Sequence, residues 1–223
     1  MLKQMTPSPT MDEQVYAQLR AAILKGDLKP GEEVVVSSVA GQLGVSRIPV
    51  MHACQRLIGE GFLMANPRRS VVVTPLTESR IREVWEVLLE LECLAVRHAC
   101  ESARPELVAE LAALNAAVLR FRRKPGEYKM NQPDYEFHAA VWDAAQRPYL
   151  AAQIRAVYDH YEPSRVLGRS QHDPSRSAAE HEAIVEAVGR RDAVAAQAAL
   201  RSHREHSLER ALHQLHRSIG EKQ

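Results

Sequence analysis

The stretch from Ile23 to Gly61 constrains this chain more than any other, because its glycines, prolines and serines punctuate the apolar runs where a pair of short helices must start and stop. A helix beginning near Ser37 or Ser38 ends at Gly44, a residue type suited to the left-handed backbone that closes a helix, and Ser46 is placed to cap the next one. Pro49 then falls in the first turn, where its missing N–H costs nothing. In this second helix Val50, Ala53, Cys54, Leu57 and Ile58 follow helical spacing toward a core, and Arg47, Met51, His52 and Gln55 fall on the opposite side. An outer face of that kind, on the second helix of such a pair, is what enters the major groove of DNA.

Beyond Gly61, Phe62-Leu63-Met64 and Val71-Val72-Val73-Thr74 read as two short β-strands around a basic tip, Asn66-Pro67-Arg68-Arg69-Ser70. Helix pair plus ribbon is the layout of a winged helix-turn-helix. Two adjacent arginines at the tip suit phosphates or the narrow minor groove and bring salt-dependent affinity rather than sequence choice, although a solvated surface turn has the same composition.

A chain of 223 residues with 45% hydrophobic content has room for this module over residues 1–75 and for a second domain over residues 76–223. Lys and Arg exceed Asp and Glu by only 8 to 6 in the first part, and stand at 21 to 22 in the second, so net charge does not single out a nucleic-acid surface. Cys54, Cys93 and Cys100 form no C-x-x-C pair, which fits buried thiols in a reducing compartment. The first ten residues lack the apolar run of a signal peptide and no segment has the length of a bilayer span, so the expectation is a cytoplasmic protein without a membrane partner.

From Leu76 onward the pattern is helical throughout, with breaks marked by Pro105, Pro125-Gly126, Pro133, Pro148, Pro163, Pro174 and Gly189. The expected helices span roughly 77–102, 105–123, 132–146, 148–168, 175–190 and 192–218. Apolar stripes such as Val84, Val87, Leu88, Leu91, Leu94 and Ala95 predict one antiparallel all-α bundle, and the whole chain is therefore of mainly α class. The basic segment from Arg122-Arg123-Lys124 to Lys129 reads as a solvated connection.

Histidine placement carries the second signal. Asp134 and His138, four residues apart, share a stripe with Val141, Trp142 and Ala145; His181 shares its face with Ile184, Val185 and Val188; His203 falls in line with Leu200, Ser207 and Ala211. Three helices thus each turn an imidazole inward and one adds a carboxylate, a ligand set for a divalent transition metal in a bundle core: zinc, nickel, cobalt, iron or manganese, with zinc the first expectation. Each residue also has a plainer reading, Asp134 as a first-turn acid favoured by the helix dipole and each histidine as a hydrogen-bonded core residue. His98 approaches an apolar stripe and is a spare candidate; His206, His213 and His216 read as a wet helix face.

Residues 12–74 resemble the DNA-binding domain of the GntR family of bacterial transcription regulators. The resemblance rests on Ile23, Gly26, Leu28, Pro30-Gly31, Ala40, Leu43-Gly44-Val45-Ser46-Arg47, Pro49-Val50, Ala53, Leu57 and Glu60-Gly61. Where the family pattern reads S-R-T-P-V-R-E-A-L, this chain has Ser46-Arg47-Ile48-Pro49-Val50-Met51-His52-Ala53-Cys54, and Ser70 stands at the glycine of the wing. Ser37 likewise replaces the charged residue usual at the start of the second helix. These departures imply an unusual operator or weaker binding.

Residues 77–215 resemble the FCD ligand-sensing domain of the FadR-like branch of that family, through Leu91-Glu92, Asp134-x-x-Phe137-His138, Glu180-His181-x-x-Ile184-x-x-Ala187 with Asp192 following, and His203. The resemblance implies Asp134, His138, His181 and His203 as metal ligands. An arginine that the family often carries in the first helix of this domain is here Leu88, implying an effector that is differently oriented or less acidic.

Together the two resemblances imply a homodimeric regulator, acting as a repressor on double-stranded operator DNA and released by a small organic acid bound at the metal. Its DNA contacts would come from Ser46, Arg47, Met51, His52, Gln55, Arg68 and Arg69. Two other readings stay open: a metal-dependent enzyme acting on small carboxylates, with water activated at an open coordination position, and a metal-free bundle sensing an acyl compound.

Overall fold

The structure is a computed structural model, described here for residues 9–66, 70–120, 132–168 and 173–220. The chain forms two compact units, Met1–Leu76 and Thr77–Gln223.

The first unit opens with α1 (Met11–Lys25), which Thr10 and Glu13 start as a reciprocal capping box: the Glu13 N–H donates to Thr10 Oγ1 at 3.3 Å and the Thr10 N–H donates to Glu13 Oε2 at 2.7 Å. Val15, Leu19 and Ile23 recur every fourth residue along its buried face. Helices α2 (Val36–Leu43) and α3 (Arg47–Gly59) follow. The first of these begins one residue before the serines that sequence pattern selects, on Val35 in extended conformation. Gly44 ends it at φ 65°, as expected of a left-handed closing residue. Ser46 does occupy the cap position of α3, but no side-chain hydrogen bond forms there, so its expected capping role is confined to its extended backbone.

Val50, Ala53, Cys54 and Leu57 of α3 are buried against α1 and the strands, and Ile58 is half-buried at the edge of the same core. Strands β1 (Leu63–Ala65) and β2 (Val71–Val73) pair antiparallel with Leu63 opposite Val73 and Ala65 opposite Val71. The segment after α1 joins this ribbon, the Gly31 N–H donating to the Val73 carbonyl at 2.9 Å and the Val34 N–H to that of Val71 at 2.7 Å. The described part of the ribbon is thereby tied along β2 to the segment that follows α1.

Six helices make the described part of the second unit: α4 (Glu78–Glu101), α5 (Pro105–Arg120), α6 (Gln132–Ala144), α7 (Pro148–Gly168), α8 (Pro174–Gly189) and α9 (Ala193–Gly220). Pro105, Pro148 and Pro174 each stand at the first position of a helix, where a missing N–H is harmless. Pro163 departs from its expected role as a break, since α7 continues through it. The residues around it, Tyr161, Glu162 and Ser164, are all buried, and this packing holds the helix together where the backbone bond is lost.

The α4 stripe is also displaced from its expectation. Val87 is 52% exposed, whereas Leu88, Leu89, Glu92, Cys93, Ala95, Val96, Ala99 and Cys100 are buried, because α4 is covered on two sides and buries a broad band rather than a single line. One core gathers Leu89, Val96, Leu111, Phe137, Val185, Val188 and Leu200; a second gathers Leu88, Trp142, Ile154, Tyr158 and Tyr161. The turn before α9 is made by Arg191 at φ 55°, not by Gly189, and the Asp192 carboxylate then accepts the Ala195 N–H at 2.9 Å. Among the described residues no helix is long and apolar enough to cross a membrane.

Candidate metal centre

Helix α6 brings Asp134 and His138 to one inward face through their spacing of one turn, α8 adds His181 and α9 adds His203. All four side chains are buried, and each offers a donor atom within 4.8 Å of the others. His181 Nε2 lies 3.7 Å from Asp134 Oδ1, and the His203 ring sits 4.6 Å from that of His181 and 5.1 Å from that of His138, centroid to centroid. The Phe137 ring stacks on His181 at 4.1 Å with 10° between planes, which fixes the imidazole against an apolar wall.

Hydrogen bonding separates these imidazoles from ordinary core histidines. Both ring nitrogens of His181 and Nε2 of His138 are buried without a hydrogen-bond partner. Buried polar atoms are nearly always paired, so unpartnered nitrogens on both His138 and His181, each neutral ring bringing one lone pair, mark a place shaped for something that accepts them. His203 is held from behind: its Nδ1 is 2.8 Å from Glu180 Oε2, and the other Glu180 oxygen meets His206 Nδ1 at 2.6 Å and Arg176 Nε at 3.0 Å. A carboxylate on one ring nitrogen fixes the tautomer and leaves the other nitrogen with its lone pair, the usual support of a metal-binding histidine.

The charge states agree with the geometry. Burial pushes the Asp134 carboxyl upward, but the His181 and Arg165 side chains outweigh it and hold the group at about 2. Burial and the neighbouring His203 bring His181 down to about 3, and burial together with Arg204 holds His138 well below its ordinary value. An ionised Asp134 and neutral His138 and His181 at neutral pH suit a divalent cation. The buried His and Asp cluster can therefore hold a metal ion.

Around the cluster lie charges that sequence pattern did not assign. Arg204, next to His203, donates to Glu92 through Nε at 2.7 Å and also through Nη2, and Glu92 accepts the Trp142 indole N–H at 3.0 Å. Arg165 is bidentate on Glu162 at 2.6 and 2.8 Å, with Nη1 3.9 Å from Asp134 Oδ2. The signal for Arg204 was present, since Leu200, Arg204 and Leu208 recur every fourth residue on one buried line. His206 is half-buried on Glu180 rather than part of a wet face, because that carboxylate reaches across from α8. His98 stands apart from the four, bonded through Nδ1 to Glu101 at 2.9 Å.

In the first unit Arg47, Met51, His52 and Gln55 all lie on the exposed side of α3, with Ser46 exposed at its start. His52 Nδ1 is 2.8 Å from Asp12 Oδ2 of α1. Arg68 and Arg69, and the basic segment from Arg122 to Lys129, lie outside the described residues.

Fold and cluster together define a DNA-binding module joined to an all-helical domain with a metal-competent core. Two family models match this arrangement: "Bacterial regulatory proteins, gntR family" over residues 11–73 and "FCD domain" over residues 83–206. The chain belongs to the GntR family of transcription regulators, in the group that carries an FCD domain. The transcriptional regulator YdhC of Bacillus subtilis is 28% identical over 207 residues, covering 91% of each protein. The regulator McbR of Escherichia coli is 28% identical over 145 residues, 65% of this chain and 66% of that one. The solved structure of Escherichia coli McbR/YncC has the same fold, with a TM-score of 0.75 at 22% identity over 93% of this chain and 100% of that one. Function is accordingly that of a ligand-responsive DNA-binding regulator and not of an enzyme.

Proposed function

We propose that this protein is a homodimeric repressor that holds a divalent transition metal on Asp134, His138, His181 and His203 and leaves its operator when a small organic acid binds there. The observation that carries this reading is the set of buried, unpartnered imidazole nitrogens beside an ionised aspartate. Zinc, nickel, cobalt, manganese and iron all accept such a donor set, and zinc is the first choice. A bound ion supplies a Lewis-acidic anchor for a carboxylate oxygen.

The chain's own residues do the rest. Asp134 brings negative charge to the site, Glu180 orients His203, and Phe137 keeps His181 upright. Arg165 and Arg204 lie nearby but are paired with Glu162 and Glu92, so the attraction for an acidic effector comes from the bound ion itself. An effector that binds one arrangement of the helices better than another shifts the population between them, and in a dimer this changes the separation of the two DNA-reading units. Because half-sites of a pseudo-palindromic operator are read only at matching spacing, affinity falls. Ser46, Arg47, Met51, His52 and Gln55 are the proposed contacts, with Arg68 and Arg69 at the phosphates. Such a protein works in the cytoplasm, where DNA and metabolites meet.

A thermal-shift screen of zinc-loaded protein against sugar acids, dicarboxylates and amino acids tests this reading, since a ligand preferring the folded state raises its melting temperature. The expected result is stabilisation by one class of acid that disappears in His181→Ala and His203→Ala. Equal shifts in parent and variants would contradict it.

A further inference from the structure

Resting on the operator-binding reading above, the exposed face of α3 points to what it reads. Arg56 is committed elsewhere, bonded to Glu60 at 3.0 Å with its guanidinium 3.8 Å over the Tyr16 ring, and His52 is tied to Asp12. Beside His52, the outer face of the first three turns carries Arg47, Ile48, Met51 and Gln55. Ile48 is 62% exposed and Met51 49%, both large apolar side chains offered to water at the end of the helix that enters the groove. A groove of about 520 Å³ runs alongside, lined by Arg47, Met51 and Gln55 of α3 and by Val35, Ser37 and Ser70 opposite.

Side-chain chemistry determines which base edges fit. Guanine is read best by a bidentate arginine, adenine by an amide such as glutamine, and the thymine 5-methyl group by an apolar side chain. On this face two apolar residues and one amide outnumber the single arginine. We infer that Ile48 and Met51 seat thymine methyl groups and that Gln55 reads adenine, so the half-site is recognised mainly through A·T pairs, with guanine reading limited to Arg47. Exposed apolar surface at these positions is then a base-reading device and not an unfavourable leftover.

The test selects bound duplexes from a random-sequence pool with the full-length protein, then replaces thymines of the selected site by uracil, which removes only the 5-methyl group. A·T pairs should dominate the selected half-site core, and affinity should fall about fourfold for each contacted methyl removed. Met51→Ala, checked for unchanged helix content, should lose sensitivity to uracil at one position while its salt dependence, set by phosphate contacts, stays unchanged. Met51→Arg should shift the preference there toward guanine. A half-site centred on guanine, or full affinity for the uracil duplex, would overturn the inference. Failure to enrich any sequence would instead overturn operator recognition by this module, and the base preference with it.

Discussion

Arg204 is held inside the helical unit by Glu92, both side chains almost fully buried, and the two residues stand on α9 and α4. Removing one partner of such a pair strands the other charge without water. Arg204→Ala should therefore cost about 3–5 kcal/mol in urea unfolding, and Glu92→Leu with Arg204→Met should recover a good part of it. A single-variant cost below about 1 kcal/mol would show that water reaches the pair. The thiols give a second test. Burial raises Cys93 and Cys100 from the ordinary 9.0 to about 11, so in the unfolded chain they ionise first. Their contribution to stability is fully present below pH 9 and is lost as pH rises toward about 11, which a series of melting temperatures across that window should show as a decline. In the same state neither thiol should react with iodoacetamide at neutral pH until the protein unfolds. At this scale the metal-competent residues were legible because each lies on an apolar stripe of its own helix. The pairing of Glu92 with Arg204 was not, because the partners stand 112 residues apart on different helices, although the apolar line through Arg204 marked its position.

Helix starts differ in how they are made, and stability should follow the difference. Thr10 closes a capping box at α1, so Thr10→Ala should lower stability by about 1 kcal/mol. Ser46 makes no side-chain cap, and Ser46→Ala should stay within about 0.5 kcal/mol of the parent in the same thermal or urea measurement while weakening operator affinity. Equal losses in both variants would contradict the assignment. Helix existence was readable from the 3.6-residue period and from prolines at first positions, and it was readable for each described helix of the second unit. What period could not supply was how many sides of an element are covered. Helix α4 is packed on two, so the stripe through Val87 was misplaced by about one residue, and tertiary packing carries α7 through Pro163.

The described residues form two units with separate cores. Periodicity gave Asp134, His138, His181 and His203 only a shared inward bias, since nothing in spacing fixes which faces of α6, α8 and α9 meet; the family resemblance is what names the four together. On the proposed reading they meet to hold an ion. Metal content measured per protomer after gentle purification tests it most directly, in the parent and in His181→Ala and His203→Ala variants of matching helix content. About one equivalent of a divalent transition metal in the parent, falling severalfold in each variant, is the expected result. No metal in the parent even after incubation with zinc, or the same content in all three proteins, would contradict it.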